Sequence, residues 1–331
     1  MQKKLRSIHI IATGGTIAGI GDAGQSSNYD AGQLAVDELI RQLPPLNDEV
    51  VLSYEQFTNV DSNDMTTELW IALARRINEL SADPSIDGFV ITHGTDTMDE
   101  ISYFLSLTVQ TPKPVVITGS MRPASATSAD GLLNLYDSIF VAANSLSYGQ
   151  SVLVCFCGTI YSGRNVIKSS TFQLNAFDGR TPSCLGYIQD RICFYYNNYH
   201  NQVYRRLHFS LDHISYLPRV DVAYYYTDAP ADVLDYFASQ CDGIVICGTG
   251  AGNFSEAWIE KIASLPIPVV RSSRVMNGMI TPTSHFDRSD NSIAAYTLPP
   301  QKARILLSLA LLHTRDYKEL GKIFRENELF A

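Results

Sequence analysis

The sequence predicts an α/β protein in two parts: a larger N-terminal domain built on a doubly wound, mainly parallel sheet, and a smaller C-terminal α/β domain. Three observations carry this expectation. Short apolar runs bounded by turns alternate with stretches of helical period. The alternation loosens between about residues 172 and 217, then resumes. At 331 residues the chain is long for one core and suited to two.

Strands are expected at 9–12, 50–54, 88–92, 114–118 and 151–156, each an apolar run ending in turn residues. Between them, 33–42, 66–80, 99–109 and 130–144 space their apolar residues for helices. Strand, helix, strand repeated in this way implies right-handed crossovers and a parallel sheet. From 172 to 217 Tyr and Asn clusters such as "FYYNNYH" (194–200) show no helical period, so hairpins and a linker are expected there. The second domain alternates strands "VDVAYYY", "GIVICG" and "PVVRSS" with helices "ADVLDYFASQ", "SEAWIEKIAS" and "PQKARILLSLALLHT". The expected divisions are 1–205 for the first domain, 206–219 for the linker and 220–331 for the second domain.

Composition removes several classes of function. With 25 basic and 34 acidic residues the net charge is −9, and no dense Lys/Arg stripe is present, so nucleic acid is not an expected partner. No stretch approaches the ~20 apolar residues of a membrane helix. The start, "MQKKLRSIHIIATGG", has too short an apolar run for a signal-peptide core; a cytoplasmic location is expected, or a periplasmic one if an export signal has been removed. The six cysteines lack CxxC spacing and read as reduced and mostly buried. In "SVLVCFCG" alternation puts Cys155 and Cys157 on one strand face, which reads as core in preference to zinc. The seven histidines show no ligand spacing with Cys or acids, so neither metal nor cofactor is expected, and His93 reads as a packing residue at a strand end.

Two stretches carry chemistry: "HIIATGGTIAG" (9–19) and "GFVITHGTDTMDE" (88–100). Both run from a buried strand into a tight turn with hydroxyls, and ligands of open α/β sheets sit at the carboxyl ends of strands. Gly14 and Gly15 let the backbone turn and would leave amide hydrogens uncovered for an oxyanion, with the Thr16 hydroxyl beside them. The plainer reading of "TGGT" is an ordinary turn. In "HGTDT", Thr95 offers a hydroxyl and Asp96 a carboxylate suited to an ammonium group. The plainer reading there is an N-cap, in which Thr97 or Asp96 bonds the first amides of helix 99–109, and capping and function can coexist.

Both stretches match the two signatures of the bacterial L-asparaginase family. The resemblance continues through Asn28 and Tyr29, "DSNDM" (61–65), "TGSMRP" (118–123), "SADG" (128–131), Lys168, "VVRSSRV" (269–275) and "PQKAR" (300–304), the last two pieces looking like the type II branch. What the resemblance implies is hydrolysis of the L-asparagine side-chain amide through an acyl-enzyme on Thr16. Tyr29, on a Gly- and Ser-rich loop at 19–32 that would close as a lid, pairs with that nucleophile. Thr95, Asp96 and Lys168 form a second constellation, the lysine lowering the cost of deprotonating a threonine that activates water. Asp96 would hold the substrate α-ammonium and Ser62 its α-carboxylate.

Several positions depart from the family pattern. Asn63 stands where Gln is usual, and Ser120 where Ala is usual, its backbone carbonyl still able to face the amide. In the C-terminal domain "GNGN" becomes "GAGN", which keeps Asn253, and in the loop 277–291 His285 stands where a Glu is expected, with Asp287 nearby. "GTGAGN" lacks the third glycine of a dinucleotide fingerprint. The resemblance also implies that this C-terminal segment completes a neighbouring subunit's site, hence a homo-oligomer, a dimer of intimate dimers. Some exported relatives carry a disulfide across the first domain, and the segments around Asp83 and Gln110 have no cysteine to form it. L-glutamine as a second substrate, one methylene longer, and a non-catalytic amino-acid binder are the alternatives.

Overall fold

β1 (Arg6–Gly14) is the strand around which the N-terminal sheet is arranged. Its Ile8, Ile10 and Ile11 are fully buried, as a strand covered on both faces requires. The computed structural model describes residues 5–21, 29–30, 32–46, 49–179, 183–196 and 207–329. Two units, Met1–Tyr204 and Arg205–Ala331, are each held by their own contacts.

In the first unit a short pair, β2 (Ile20–Gly21) and β3 (Tyr29–Asp30), precedes α1 (Val36–Arg41). The chain continues through β4 (Val50–Val60), α2 (Thr67–Ser81), β5 (Gly88–Thr92), α3 (Met98–Thr108), β6 (Val115–Thr118), α4 (Gly131–Ala143) and β7 (Val152–Phe156). Five further strands follow: β8 (Thr159–Ser162), β9 (Val166–Lys168), β10 (Phe177–Gly179), then the hairpin of β11 (Cys184–Gln189) and β12 (Ile192–Tyr195). The main sheet has the order β12-β11-β8-β7-β6-β5-β1-β4. From β7 to β4 neighbours are parallel, and beyond β7 they are antiparallel.

That order places a crevice. From β1 the chain moves to one side to form β4, then crosses to the other side for β5, so the strand order reverses at β1 and the crevice opens at the carboxyl ends of β1 and β5. α4 packs Leu135 and Ile139 onto one face of the sheet beside Val90, Val116 and Leu153. Boundaries shift modestly from expectation: β4 runs to Val60, six residues further than predicted, and α1 starts at Val36. Thr66 caps α2, its hydroxyl accepting from the Leu69 amide at 3.3 Å.

The second unit is a parallel sheet ordered β13-β14-β15-β16, with β13 (Val220–Tyr224), α5 (Val233–Gln240), β14 (Gly243–Gly248), α6 (Glu256–Ser264), β15 (Val269–Ser273), β16 (Ser292–Ala294), α7 (Pro300–Ala310) and α8 (Tyr317–Leu329). β16 and α8 are additions to the expected elements. β16 has three residues, too few to show a period. In α8 the buried Leu320 and Phe324, one turn apart, dock an otherwise polar helix. The described part of the expected linker, 207–219, forms neither helix nor strand. It is still packed: Phe209 and Leu211 are buried, and the Phe209 ring lies 5.5 Å from His313.

The cysteine expectation is corrected in part. All six thiols are free, but three are buried, Cys193 is intermediate, and Cys157 and Cys184 are exposed. Cys157 does not share a face with Cys155, because β7 ends at Phe156 and Cys157 turns at φ +49°. Among the described residues no cluster of His, Cys, Asp or Glu could hold a metal, and no helix is long and apolar enough to cross a membrane. His200 lies outside the described residues.

Candidate active site

The four loops leaving β1, β4, β5 and β6 meet backbone to backbone, and glycines allow it. Gly15, at φ +83°, has so little room that a Cβ there would lie 2.4 Å from the Gly94 nitrogen. A Cβ on Gly94 would lie 2.7 Å from Ser62 Oγ, and one on Gly119 only 2.2 Å from the His93 carbonyl oxygen. The two signature stretches are therefore pressed against each other at the reversal of strand order. Thr16, buried, opens a single 3-10 turn, Thr16–Ala18, directly after Gly15. One expectation fails here: the Gly15 amide is not uncovered, since it donates to the Val60 carbonyl at 3.0 Å.

Thr95 follows Gly94 and is buried. Lys168, at the end of β9, donates from Nζ to Thr95 Oγ1 at 2.9 Å and to Asp96 Oδ1 at 2.5 Å. A cation against a hydroxyl oxygen favours loss of the hydroxyl proton. The other Asp96 oxygen accepts from Asn63 Nδ2 at 3.2 Å, and the same Nδ2 donates to Asp61 at 2.8 Å. The Lys168 hydrogen bond holds the Asp96 carboxyl below its ordinary range against an opposing push from burial, with a lesser contribution from the Asn63 bond. Its side chain remains 55% exposed, which leaves carboxylate surface facing the crevice.

Ser62, buried, sits in the turn Ser62–Asp64, which Asp61 caps by accepting from the Asn63 amide at 2.8 Å. Thr97 corrects the capping expectation. Neither it nor Asp96 caps α3; the Thr97 hydroxyl instead donates to the Ser62 carbonyl at 2.9 Å and so joins the β4 and β5 loops. The helix end is left to Asp99 and Glu100 in its first turn, whose charges suit the dipole.

Ser120 is buried and its hydroxyl donates to the Arg122 carbonyl at 2.8 Å. The turn it belongs to is fixed from α4. Asp130 accepts from the Met121 and Arg122 amides at 3.0 and 2.9 Å, while Asn134 donates to the Gly119 carbonyl at 3.0 Å and accepts from the Cys157 amide at 3.0 Å. Sequence reasoning did not single out Asp61, Asp130 or Asn134 as site-building groups. The available signal was their adjacency to Ser62 and to "TGSMRP". His93, expected to be a packing residue, is fully buried beneath the crevice with Nδ1 2.7 Å from the Gly94 carbonyl. Burial pushes its pKa down to about 4, so the ring is neutral at pH 7.

Tyr29 begins β3, where its backbone pairs with Gly21. Most of the expected lid, including Asn28, lies outside the described residues. In the second unit Asn253 is exposed and closes a tight turn after β14, exchanging backbone hydrogen bonds with Thr249 at 2.9 and 2.6 Å. His285 is exposed, its ring 4.7 Å from Phe286. Asp287 is not a free carboxylate: it takes Arg271 Nε and Nη2 at 3.0 and 2.7 Å, Ser292 Oγ at 2.7 Å and the Thr283 amide at 2.8 Å. Burial raises its pKa, but those bonds outweigh it and hold the carboxyl below the usual range. Of the expected residues, then, the first unit gathers Thr16, Ser62, Asn63, Thr95, Asp96, Ser120 and Lys168, while Asn253 and His285 stand on the second.

Comparison with known proteins gives a consistent result over nearly the whole chain. Residues 7–200 match the family model "Asparaginase, N-terminal", and residues 219–324 match "Glutaminase/Asparaginase C-terminal domain". The chain is 42% identical to the "Probable L-asparaginase periplasmic" of Haemophilus influenzae, covering 97% of this chain and 93% of that protein. It is 40% identical to "L-asparaginase 2" of Escherichia coli, with the same coverage of 97% and 93%. Among solved structures, the probable cytoplasmic L-asparaginase of Campylobacter jejuni superposes with a TM-score of 0.90 at 38% identity, over 98% of this chain and all of that one.

Proposed function

We infer the reaction from one premise: the chain belongs to the asparaginase family. It is an amidohydrolase that converts L-asparagine to L-aspartate and ammonia through a threonine acyl-enzyme. The observation that carries this reading is the pair of hydroxyls at one crevice, Thr16 behind Gly15 and Thr95 behind Gly94, with Lys168 Nζ 2.9 Å from the second.

The chemistry divides into two additions. Thr16 Oγ1 attacks the side-chain carbonyl carbon and its proton passes to a base; the C–N bond breaks, the nitrogen takes up a proton and ammonia leaves. Water then adds to the Thr16 ester, its proton drawn away by Thr95, and the C–O bond to Thr16 breaks to release aspartate. Lys168 favours the deprotonated hydroxyl of Thr95. Asp96 receives the substrate α-ammonium and Ser62 its α-carboxylate, so charge and hydrogen bonds orient the head group before reaction. Tyr29 is the proton partner of Thr16 in this reading.

Asn253 and His285 reach the centre from a neighbouring copy, which makes the working form an intimate dimer, paired again into a tetramer. Exposed Val275, Met276 and Met279, between β15 and His285, support a covering partner there. With Asp287 committed to Arg271, the exposed His285 is the group of that loop assigned to the centre in this reading. Six free thiols support a reducing, cytoplasmic compartment. The C-terminal match to a glutaminase/asparaginase domain supports L-glutamine as a second substrate. Asn63, tied to both Asp61 and Asp96, is the residue whose substitution by Gln should shift the preference.

The test is ammonia release from L-asparagine and from L-glutamine by the purified chain, Thr16→Ala, Thr95→Val and Lys168→Met. Each variant should lose at least about a thousandfold in turnover. A chain that binds asparagine without releasing ammonia would overturn the enzyme reading and leave an amino-acid binder.

A further inference from the structure

The two segments of the second unit assigned to the neighbour's site, 248–253 and 277–291, are distant in sequence, and both rest on one cation. Arg271 lies in β15 and is 1% exposed. Its Nη1 donates to the Ala251 carbonyl at 3.0 Å, in the turn that carries Asn253. Its Nη2 donates to the Thr281 carbonyl and to Asp287, both at 2.7 Å, and Nε gives the second bond to Asp287 at 3.0 Å. The guanidinium also lies 5.4 Å from the Phe286 ring, the residue after His285. The fit is close on the other side too: a Cβ on Gly252 would come within 3.3 Å of Nη1.

A buried ion pair is a poor way to gain stability, since a well-packed apolar replacement often does as well. What a planar guanidinium provides, and an ammonium cannot, is several donors in fixed directions. Here those directions join two loops distant in sequence to one rigid strand. We propose that Arg271 and Asp287 are a positioning pair that presents Asn253 and His285 as one rigid arm to the Thr16 and Thr95 centre of a neighbouring copy. The proposal rests on the reading above that the neighbour's second unit completes the site.

The experiment uses full-length Arg271→Lys and Asp287→Asn. Each should assemble, lose about 100-fold in kcat/KM for L-asparagine, and lose amide-exchange protection in both 249–253 and 281–287 while β14 keeps its own. Co-expression of Arg271→Lys, which keeps about a hundredth of the activity, with Thr16→Ala, which keeps none, then reads the direction of action. If the arm acts on the neighbour, mixed dimers hold one intact site of two, and about a quarter of the wild-type rate returns. No recovery from the mixture, loosening of one loop alone, unchanged kcat/KM, or failure of both variants to assemble would each overturn the proposal. Absence of wild-type hydrolysis would instead sink the function, and the exchange result would still decide whether one cation holds both loops.

Discussion

Glycine at position 15 answers to two demands at once, a left-handed φ of +83° and a backbone nitrogen where a Cβ would go. Gly15→Ala must therefore move β1 away from β5 or strain the turn. We expect a loss of at least about 2 kcal/mol in urea unfolding and no measurable ammonia release. His93, beneath the same turn, makes a separate prediction about acid. Its folded pKa, about 4, lies below the free value of 6.5, so the unfolded chain binds the proton first as pH falls. The neutral ring's contribution is complete above pH 6.5 and drains away toward pH 4, by up to about 3 kcal/mol. Unfolding midpoints at pH 7.5 and 5 should show it, and His93→Asn, which can still donate to the Gly94 carbonyl, should flatten that part of the slope. An unchanged slope would mean the ring is not the titrating group.

A loop is only as well placed as the helix or strand that grips it. The turn after β6 is held by Asp130 and Asn134 at the start of α4, through three hydrogen bonds to two backbone amides and a carbonyl, and Asn134 takes a fourth from the Cys157 amide just after β7. Asn134→Leu would leave the Gly119 carbonyl and the Cys157 amide without it. The expected outcome is about 2–3 kcal/mol of lost stability by chemical denaturation, with KM for asparagine rising more than kcat falls, because the turn lines the binding crevice and carries no reacting group. Equal loss in both parameters would place the turn in the reaction itself. α3 shows how poorly local rules anticipate such grips. "TDT" before its first turn reads as a cap, yet Thr97 bonds Ser62 and Asp96 bonds Lys168, because partners from β4 and β9 compete for the same oxygens.

Assembly governs activity if a neighbour's second unit completes each site. Serial dilution should then lower turnover per chain at concentrations where sedimentation shows dimers separating, while far-UV circular dichroism stays constant. Turnover that is independent of concentration across that range would show each subunit to be self-sufficient.

The alternation of apolar runs and helical periods was enough to name the α/β class, the two sheets and the carboxyl-end position of both threonines, because burial leaves a local, periodic imprint on the chain. Likewise the paired glycine and threonine turns stood out, and Lys168 was visible through family resemblance. Other features left no such imprint. Lys168 meets Thr95 across 73 residues, and nothing local in "GRNVIKSST" distinguishes it from a solvated lysine. The consumed Gly15 amide, the fixed Asp287, the docking of α8 and the grip of Arg271 on two loops depend on which strands lie side by side. Hydrogen-bonding groups are common, and it is strand order that chooses among them, by bringing a few remote pairs within about 3 Å and leaving the rest to water.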